Sequence, residues 1–403
     1  MSEPSLQNPL RQLFQPLAVV IGFVLGFGLL VLLGRNSTAH DWHRNFTRFH
    51  PMIAPDSMYQ PTMGEMCAIV RARCQPDQVL VIVGGNSILQ GVGQPADRMW
   101  TLRLQEQLGS RYAVINLAFR GSSPTDGGAL VCEALREVFP KQIYIANAAP
   151  MQAISSIGLE SYRFILLDAY FKKMLLPWAP RDQELADYFA SATDREHAHE
   201  EKLGAQLDAW LHFRDYWNEW SYKRFFTFPT TMSPTYPLAY ASRGSFDDEE
   251  TDYNSFPFDV RFNPKTVEAD LAITKATSEP FYVKDEKGNW QPIASAHQGF
   301  LKTLQGAFPA PLKKRTLILV GRNSSFYTEK LDQAIRARDD LAYQATVDGW
   351  TAAGYESMEY GKTFLPSDYG DRSHLTSEGG EKLATVVAPK VKAIAEKLGY
   401  LVP

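Results

Sequence analysis

Apolar residues along this chain fall into short continuous runs separated by stretches of helical period. Val79-Leu-Val-Ile-Val83 is rich in β-branched residues and ends on Gly84-Gly85. Such a run suits a strand buried on both faces of a parallel sheet. Met99 to Leu108 predicts a helix, with Leu102 and Leu104 among its apolar positions. Ala113-Val-Ile-Asn-Leu117 predicts a second strand, ended by the Gly121-Ser-Ser-Pro124 turn. Thr125 or Asp126 can cap a helix running through Phe139, with Leu130, Ala134, Leu135 and Val138 at helical spacing. Ile143-Tyr-Ile-Ala146 predicts a third strand.

The alternation breaks over residues 151–311, a long section read as a helical, aromatic-rich insertion. Trp210, Phe213, Trp217 and Trp220 share one face of a helix there. That face packs on the core, stacks on sugar or lies at a membrane surface. Phe228 to Pro264 reads as irregular, with a solvated acidic run Asp247-Asp-Glu-Glu250. Thr316-Leu-Ile-Leu-Val320 restores the pattern as a fourth strand, a helix is expected from about Thr328 to Gly349, and Ser357-Met-Glu-Tyr360 gives a fifth strand. Ser377 can cap a last helix that carries Leu383, Val387, Val391 and Ile394 on one side. The expected architecture is α/β. It is a doubly wound, mostly parallel five-stranded sheet of flavodoxin-like order 2-1-3-4-5, with right-handed crossovers.

Leu17 to Leu33 contains no charged or polar side chain. As a helix it would span roughly 26 Å, slightly short of the roughly 30 Å hydrocarbon core of a bilayer. Residues 17–34 are therefore expected to be a transmembrane anchor after a loose tail at 1–16. A cleaved signal peptide and a buried helix are the rivals, although Ser37-Thr-Ala39 is a poor cleavage site. Gly22-Phe-Val-Leu-Gly26 has the small-xxx-small spacing that lets another membrane helix approach, or is ordinary glycine usage. Arg11 precedes the run whereas Arg35, Arg44 and Arg48 follow it, which argues against export. A long folded domain can translocate despite so small a difference. Residues 35–76, with Pro51, Pro55 and Pro61, read as a stalk and lead-in, and residues 77–400 as the main domain.

The 403 residues suffice for a large core, and 45% hydrophobic with 21% charged residues marks a globular chain. A net charge of -4 offers no basic stripe for nucleic acid. Cys67 and Cys74 can bridge only if the chain between them is looped, and Cys132 falls in an apolar helical pattern. Three cysteines leave at least one thiol free.

Two segments carry chemistry. Gly84-Gly-Asn-Ser87 stands just past the first strand, where open α/β sheets place their ligand sites. Asp371-Arg-Ser-His374 stands in the loop before the last helix. Serine attack on a carbonyl needs a base, a group to orient that base and donors for the oxyanion. On such a turn Asp371 can hold one nitrogen of His374 and leave the other free to face Ser87. The glycines do not form a dinucleotide or phosphate-loop pattern, and no cofactor is expected. His197-x-His199 lacks an evident third metal ligand and reads as a solvated helix face.

The order of Gly85-Asn86-Ser87, then Asn116 to Gly121, then Asn147, then Asp371-x-x-His374-Leu-Thr resembles the SGNH (GDSL-type) hydrolase superfamily. The resemblance covers about residues 77 to 150 and 312 to 400. It implies Ser87 as nucleophile, His374 as base, Asp371 as its orienting partner, and Gly121 and Asn147 at the oxyanion, with Asn86 beside them. The usual Gly-Asp-Ser is Gly-Asn-Ser here, and of the usual Gly-x-Asn-Asp only Asn147 remains. The single apolar span, the large insertion and Leu319-Val-Gly-Arg-Asn323 look like the membrane-anchored branch that includes D-alanyl-transfer and polysaccharide O-acetylation proteins. That branch implies an envelope esterase or O-acyltransferase acting on glycan esters, with its domain outside the cytoplasm. A membrane-bound O-acyltransferase is the implied partner. The alternatives are a catalytically silent subunit of the same fold that binds glycan or scaffolds a membrane complex, and an unrelated α/β protein.

Overall fold

The computed structural model describes residues 16–26, 48, 52–54, 57–58, 63–118, 122, 124–125, 127–151, 252–262 and 264–400. Five strands form one sheet: β1 (Val79–Val83), β2 (Tyr112–Asn116), β3 (Gln142–Ala148), β4 (Thr316–Gly321) and β5 (Glu356–Tyr360). Their spatial order is β2-β1-β3-β4-β5, and every neighbouring pair is parallel. The register runs Val79↔Tyr112 to Val83↔Asn116 on one side of β1 and Leu80↔Gln142 to Val83↔Ile145 on the other.

Strand residues alternate between two apolar layers. Leu80, Ile82, Tyr144, Ile318 and Val320 face α1 (Met63–Arg73), α4 (Gly128–Ala134), α6 (Ala294–Gln305) and α7 (Gln333–Ala352). Val79, Val81, Val83, Ile145 and Leu319 face α3 (Trp100–Leu108) and α8 (Ser377–Lys397). The central strands are buried along their whole length. This is why they read as unbroken apolar runs. Two further helices are the single turn α2 (Ser87–Gln90) and α5 (Pro264–Thr277).

Several element limits differ from the sequence expectation. α4 ends at Ala134, and its N-cap is Gly127. Thr125 is buried, and Asp126 lies outside the described residues. Past Ala134 the chain tightens into turns, with Arg136 N–H to Glu133 O and Val138 N–H to Leu135 O. Pro140 disfavours helix at Phe139, and Val138 is left exposed. The helix after β4 divides into a turn at Ser325–Thr328 and α7, whose cap is Asp332, accepting from Ile335 N–H at 2.8 Å. The cap of α8 is Thr376 rather than Ser377, because the Thr376 side chain reaches Gly379 N–H. Residues 63–73, within the stretch read as a stalk and lead-in, form α1, which buries Met66, Ile69 and Val70 in the core.

Residues 252–311 are only partly helical, since Tyr282–Lys284 pairs antiparallel with Trp290–Pro292. Within the stretch read as irregular, Phe258–Arg261 forms a helical turn, and Phe258 and Phe262 pack on Phe326. The aromatic stripe at Trp210 to Trp220, the acidic run and the His197–His199 pair lie outside the described residues. Residues 16–26 are helical, and among the described residues no helix is long and apolar enough to cross a membrane. Residues 27–34 of the expected span lie outside that set.

All three cysteines are free and buried. Burial, with Asp77 nearby, pushes the Cys74 thiol up to about 12, and burial raises Cys132 as well.

One buried side chain ties the two ends of the domain together. Gln94, fully buried, accepts from Trp100 N–H at 2.9 Å and donates to Leu375 O at 3.2 Å. It joins the loop after α2 to the loop before α8. Gln94→Ala leaves two buried backbone groups without partners, at a cost of about 2 kcal/mol. Urea unfolding should show the unfolding free energy falling by that amount and the midpoint falling with it; an unchanged midpoint would show that the tie is not stabilising.

Candidate active site

The site grows from the end of β1. Gly84 N–H closes the strand on Ile145 O at 2.7 Å. Gly85 then adopts φ +87°, and a Cβ there would lie 2.3 Å from Asn147 Oδ1. Only glycine meets both the left-handed backbone and this close approach. Asn86 follows in extended conformation as the cap of α2, with its Oδ1 accepting Ile88 N–H at 3.0 Å. Ser87 is therefore the first residue of a tight helical turn, which closes at Gly91 with φ +84°.

Asn147, near the end of β3, grips this turn from the side. Asn86 N–H donates to Asn147 Oδ1 at 3.0 Å, and Asn147 Nδ2 donates to Asn86 Oδ1 at 2.8 Å. The two bonds fix which way both amides face. Asn116 at the end of β2 holds the other end of α2, donating to Leu89 O and Gln90 O.

The second half arrives on the loop after β5. Asp371 Oδ1 accepts the N–H groups of Ser373 and His374, both at 2.8 Å. Asp371 Oδ2 lies 2.6 Å from His374 Nδ1, and His374 Nε2 lies 2.8 Å from Ser87 Oγ. An ionised carboxylate only accepts, so Nδ1 carries the proton and Nε2 offers its lone pair to the serine hydroxyl. Burial works to raise the Asp371 pKa. The His374 ring and N–H, with Ser373 N–H, outweigh it and hold the carboxyl at about 2. About a third of the Asp371 side chain and a fifth of His374 remain open to solvent.

The loop is anchored on several sides. Gly370 N–H donates to His374 O, Ser324 N–H donates to Arg372 O, and Arg261 donates to Tyr369 O. Tyr253 lies so close to Gly370 that a Cβ there would collide with its ring.

A cleft of about 230 Å³ opens over the ends of β3 and β4, and Ser87 and His374 line it. Asn86 and Asn147 line it too, yet Asn86 acts through its cap and its grip on Asn147. Gly121 lies outside the described residues. Asn323, Asp339 and Arg372 also face the cleft, and the sequence reading assigned no role to any of them. Arg372 could have been found from its place inside Asp-x-x-His. Asp339 could not, because Arg336-Ala-Arg-Asp-Asp340 looks like a solvated helix face. Among the described residues no group of three metal-binding side chains is present. In comparison with known proteins, no family model matches the chain and no curated protein matches it.

Asn86→Ala removes both the cap and the partner of Asn147. A lost cap costs about 1 kcal/mol. The variant should unfold at lower denaturant, and its Ser87 should react more slowly with a fluorophosphonate than wild type. Unaltered labelling would show that the amide pair does not position the serine.

Proposed function

We propose that this chain is a serine-dependent acyl-transfer enzyme of the SGNH type. The observation that carries the reading is the continuous chain Ser87 Oγ, His374 Nε2, His374 Nδ1, Asp371 Oδ2, with steps of 2.8 and 2.6 Å, the first between residues 287 apart in sequence. Nothing in packing alone requires these three groups to line up in a cleft with the histidine lone pair on the serine.

In the proposed reaction Ser87 Oγ attacks the carbonyl carbon of an ester as its proton passes to His374 Nε2. Asp371 remains ionised and stabilises the imidazolium. The developing oxyanion takes hydrogen bonds from Ser87 N–H and from the second N–H of Asn147, with Gly121 N–H as the third donor implied by the family resemblance. The tetrahedral intermediate collapses, His374 returns the proton to the departing alcohol oxygen, and Ser87 carries the acyl group. Water then releases it as a carboxylic acid, or a sugar or polyol hydroxyl takes it as a new ester. The same resemblance supports acetyl-like esters of envelope or exported glycans as substrates. It also supports a membrane-bound O-acyltransferase as partner. The apolar Leu17–Leu33 run supports a membrane anchor, and the resemblance supports a domain outside the cytoplasm.

A fluorophosphonate should label Ser87, as located by peptide mass spectrometry, and His374→Ala should abolish the adduct. Well-folded protein that yields no adduct would favour a silent, glycan-binding subunit. Asp371→Asn should lower kcat by roughly 10⁴-fold, because the amide no longer selects the tautomer.

The depressed Asp371 value fixes the pH response. Its carboxylate is charged above about pH 2 and loses that charge only as pH falls through about 2. Asp371 should therefore take up no proton across mildly acid pH and contribute no step to kcat/KM there. An Asp371 carboxyl carbon resonance that shifts between about pH 4 and 7 in an NMR titration would overturn this.

A further inference from the structure

Asp339 stands on α7 with 3% of its surface exposed, and it lines the cleft that holds Ser87 and His374. Among the described residues no hydrogen bond or ion pair reaches its carboxylate. A buried carboxylate without partners is costly, and native structures satisfy such groups. The nearby cations act on it through space but none bonds it. Arg322 bonds Glu359 and Asp340 and lies 4.7 Å from the Tyr343 ring centre. Arg338 donates to Ser278 Oγ and Lys275 O and lies over Trp290. Arg372 faces Asp270 at 3.7 Å. Burial raises the Asp339 pKa to about 6, with Arg322 opposing it, so near neutral pH the group is chiefly an acceptor.

The direction of the cleft indicates which part of a substrate would meet it. His374 must hand its proton to the alcohol oxygen, so the alcohol lies on the histidine side. Arg372 and Ser373 line the cleft beside His374, and Asp339 lines the same cleft within electrostatic reach of Arg372. A cationic donor would meet the charges of Arg322 and Arg372, whereas a hydroxyl would not.

Resting on the acyl-transfer reading, we propose that Asp339 is a specificity residue that accepts a hydrogen bond from a hydroxyl on the alcohol portion of the ester. The substrate class is then an ester of a polyol or sugar, selected against esters of simple alkanols.

Two acetate esters of equal size test this: 2-hydroxyethyl acetate and propyl acetate, hydrolysed by the full chain in a pH-stat. The wild-type ratio of kcat/KM should favour the hydroxyl ester about tenfold or more, as a hydrogen bond to a charged group allows. Asp339→Ala should bring the ratio close to one, and Asp339→Asn, whose amide oxygen still accepts, should keep part of it. Thermal unfolding of both variants checks the fold. A wild-type ratio near one, or a ratio unchanged in Asp339→Ala, overturns the proposal.

Binding keeps the two readings separable. NMR titration of Ser87→Ala with 2-hydroxyethyl acetate should show saturable shifts that weaken about tenfold in Ser87→Ala/Asp339→Ala. If neither ester turns over and no fluorophosphonate adduct forms, the acyl-transfer reading fails. Asp339-dependent binding would then still support the subsite, and binding indifferent to Asp339 would sink it.

Discussion

Two reciprocal amide hydrogen bonds between Asn86 and Asn147 set the geometry on which the rest of the site depends. They join the turn after β1 to β3, and they exist only because Gly85 brings the two backbones within reach. Asn116 secures the same turn from β2. β1 lies between β2 and β3, so the serine emerges where the chain departs to both sides of the sheet. At such a switch point the two flanking loops diverge and leave a crevice. The fold thus creates the opening, and asparagines from both neighbours fix the serine within it.

The triad loop is held with comparable rigidity but by different means. Asp368, almost fully buried, accepts Leu365 N–H at 2.7 Å and Lys382 Nζ from α8 at 2.7–2.8 Å. Its carbonyl accepts Thr376 N–H. Asp371 is thereby presented in one conformation, with both oxygens already engaged. The order needed for proton transfer is present before any substrate arrives, so binding energy need not be spent on assembling it.

The strands were legible because a parallel strand buried on both faces has to be apolar throughout. Their ends were less so, since Asn147 and Gly321 extend β3 and β4 through hydrogen bonding that hydropathy does not report. α4 was read too long because Val138 keeps the helical period while Pro140 forbids the conformation. α1 is not evident in the sequence, because prolines precede it and its own amphipathic pattern is weak. Ser87, Asp371 and His374 were legible from residue type and spacing, and the fold brings them together. Asn86 as a cap, Gln94 as a tie and Asp339 in the cleft were not. Each depends on a contact made across the fold, and the local sequence around each is compatible with an exposed turn or helix.

The three buried cysteines have a practical consequence. A thiol held protonated beneath packed side chains reacts poorly with electrophiles, because the thiolate is the nucleophile. The native protein therefore offers almost no background to maleimides or iodoacetamides. A single cysteine engineered on the rim of the cleft would carry a fluorophore or spin label at one known address, with Cys67, Cys74 and Cys132 left in place.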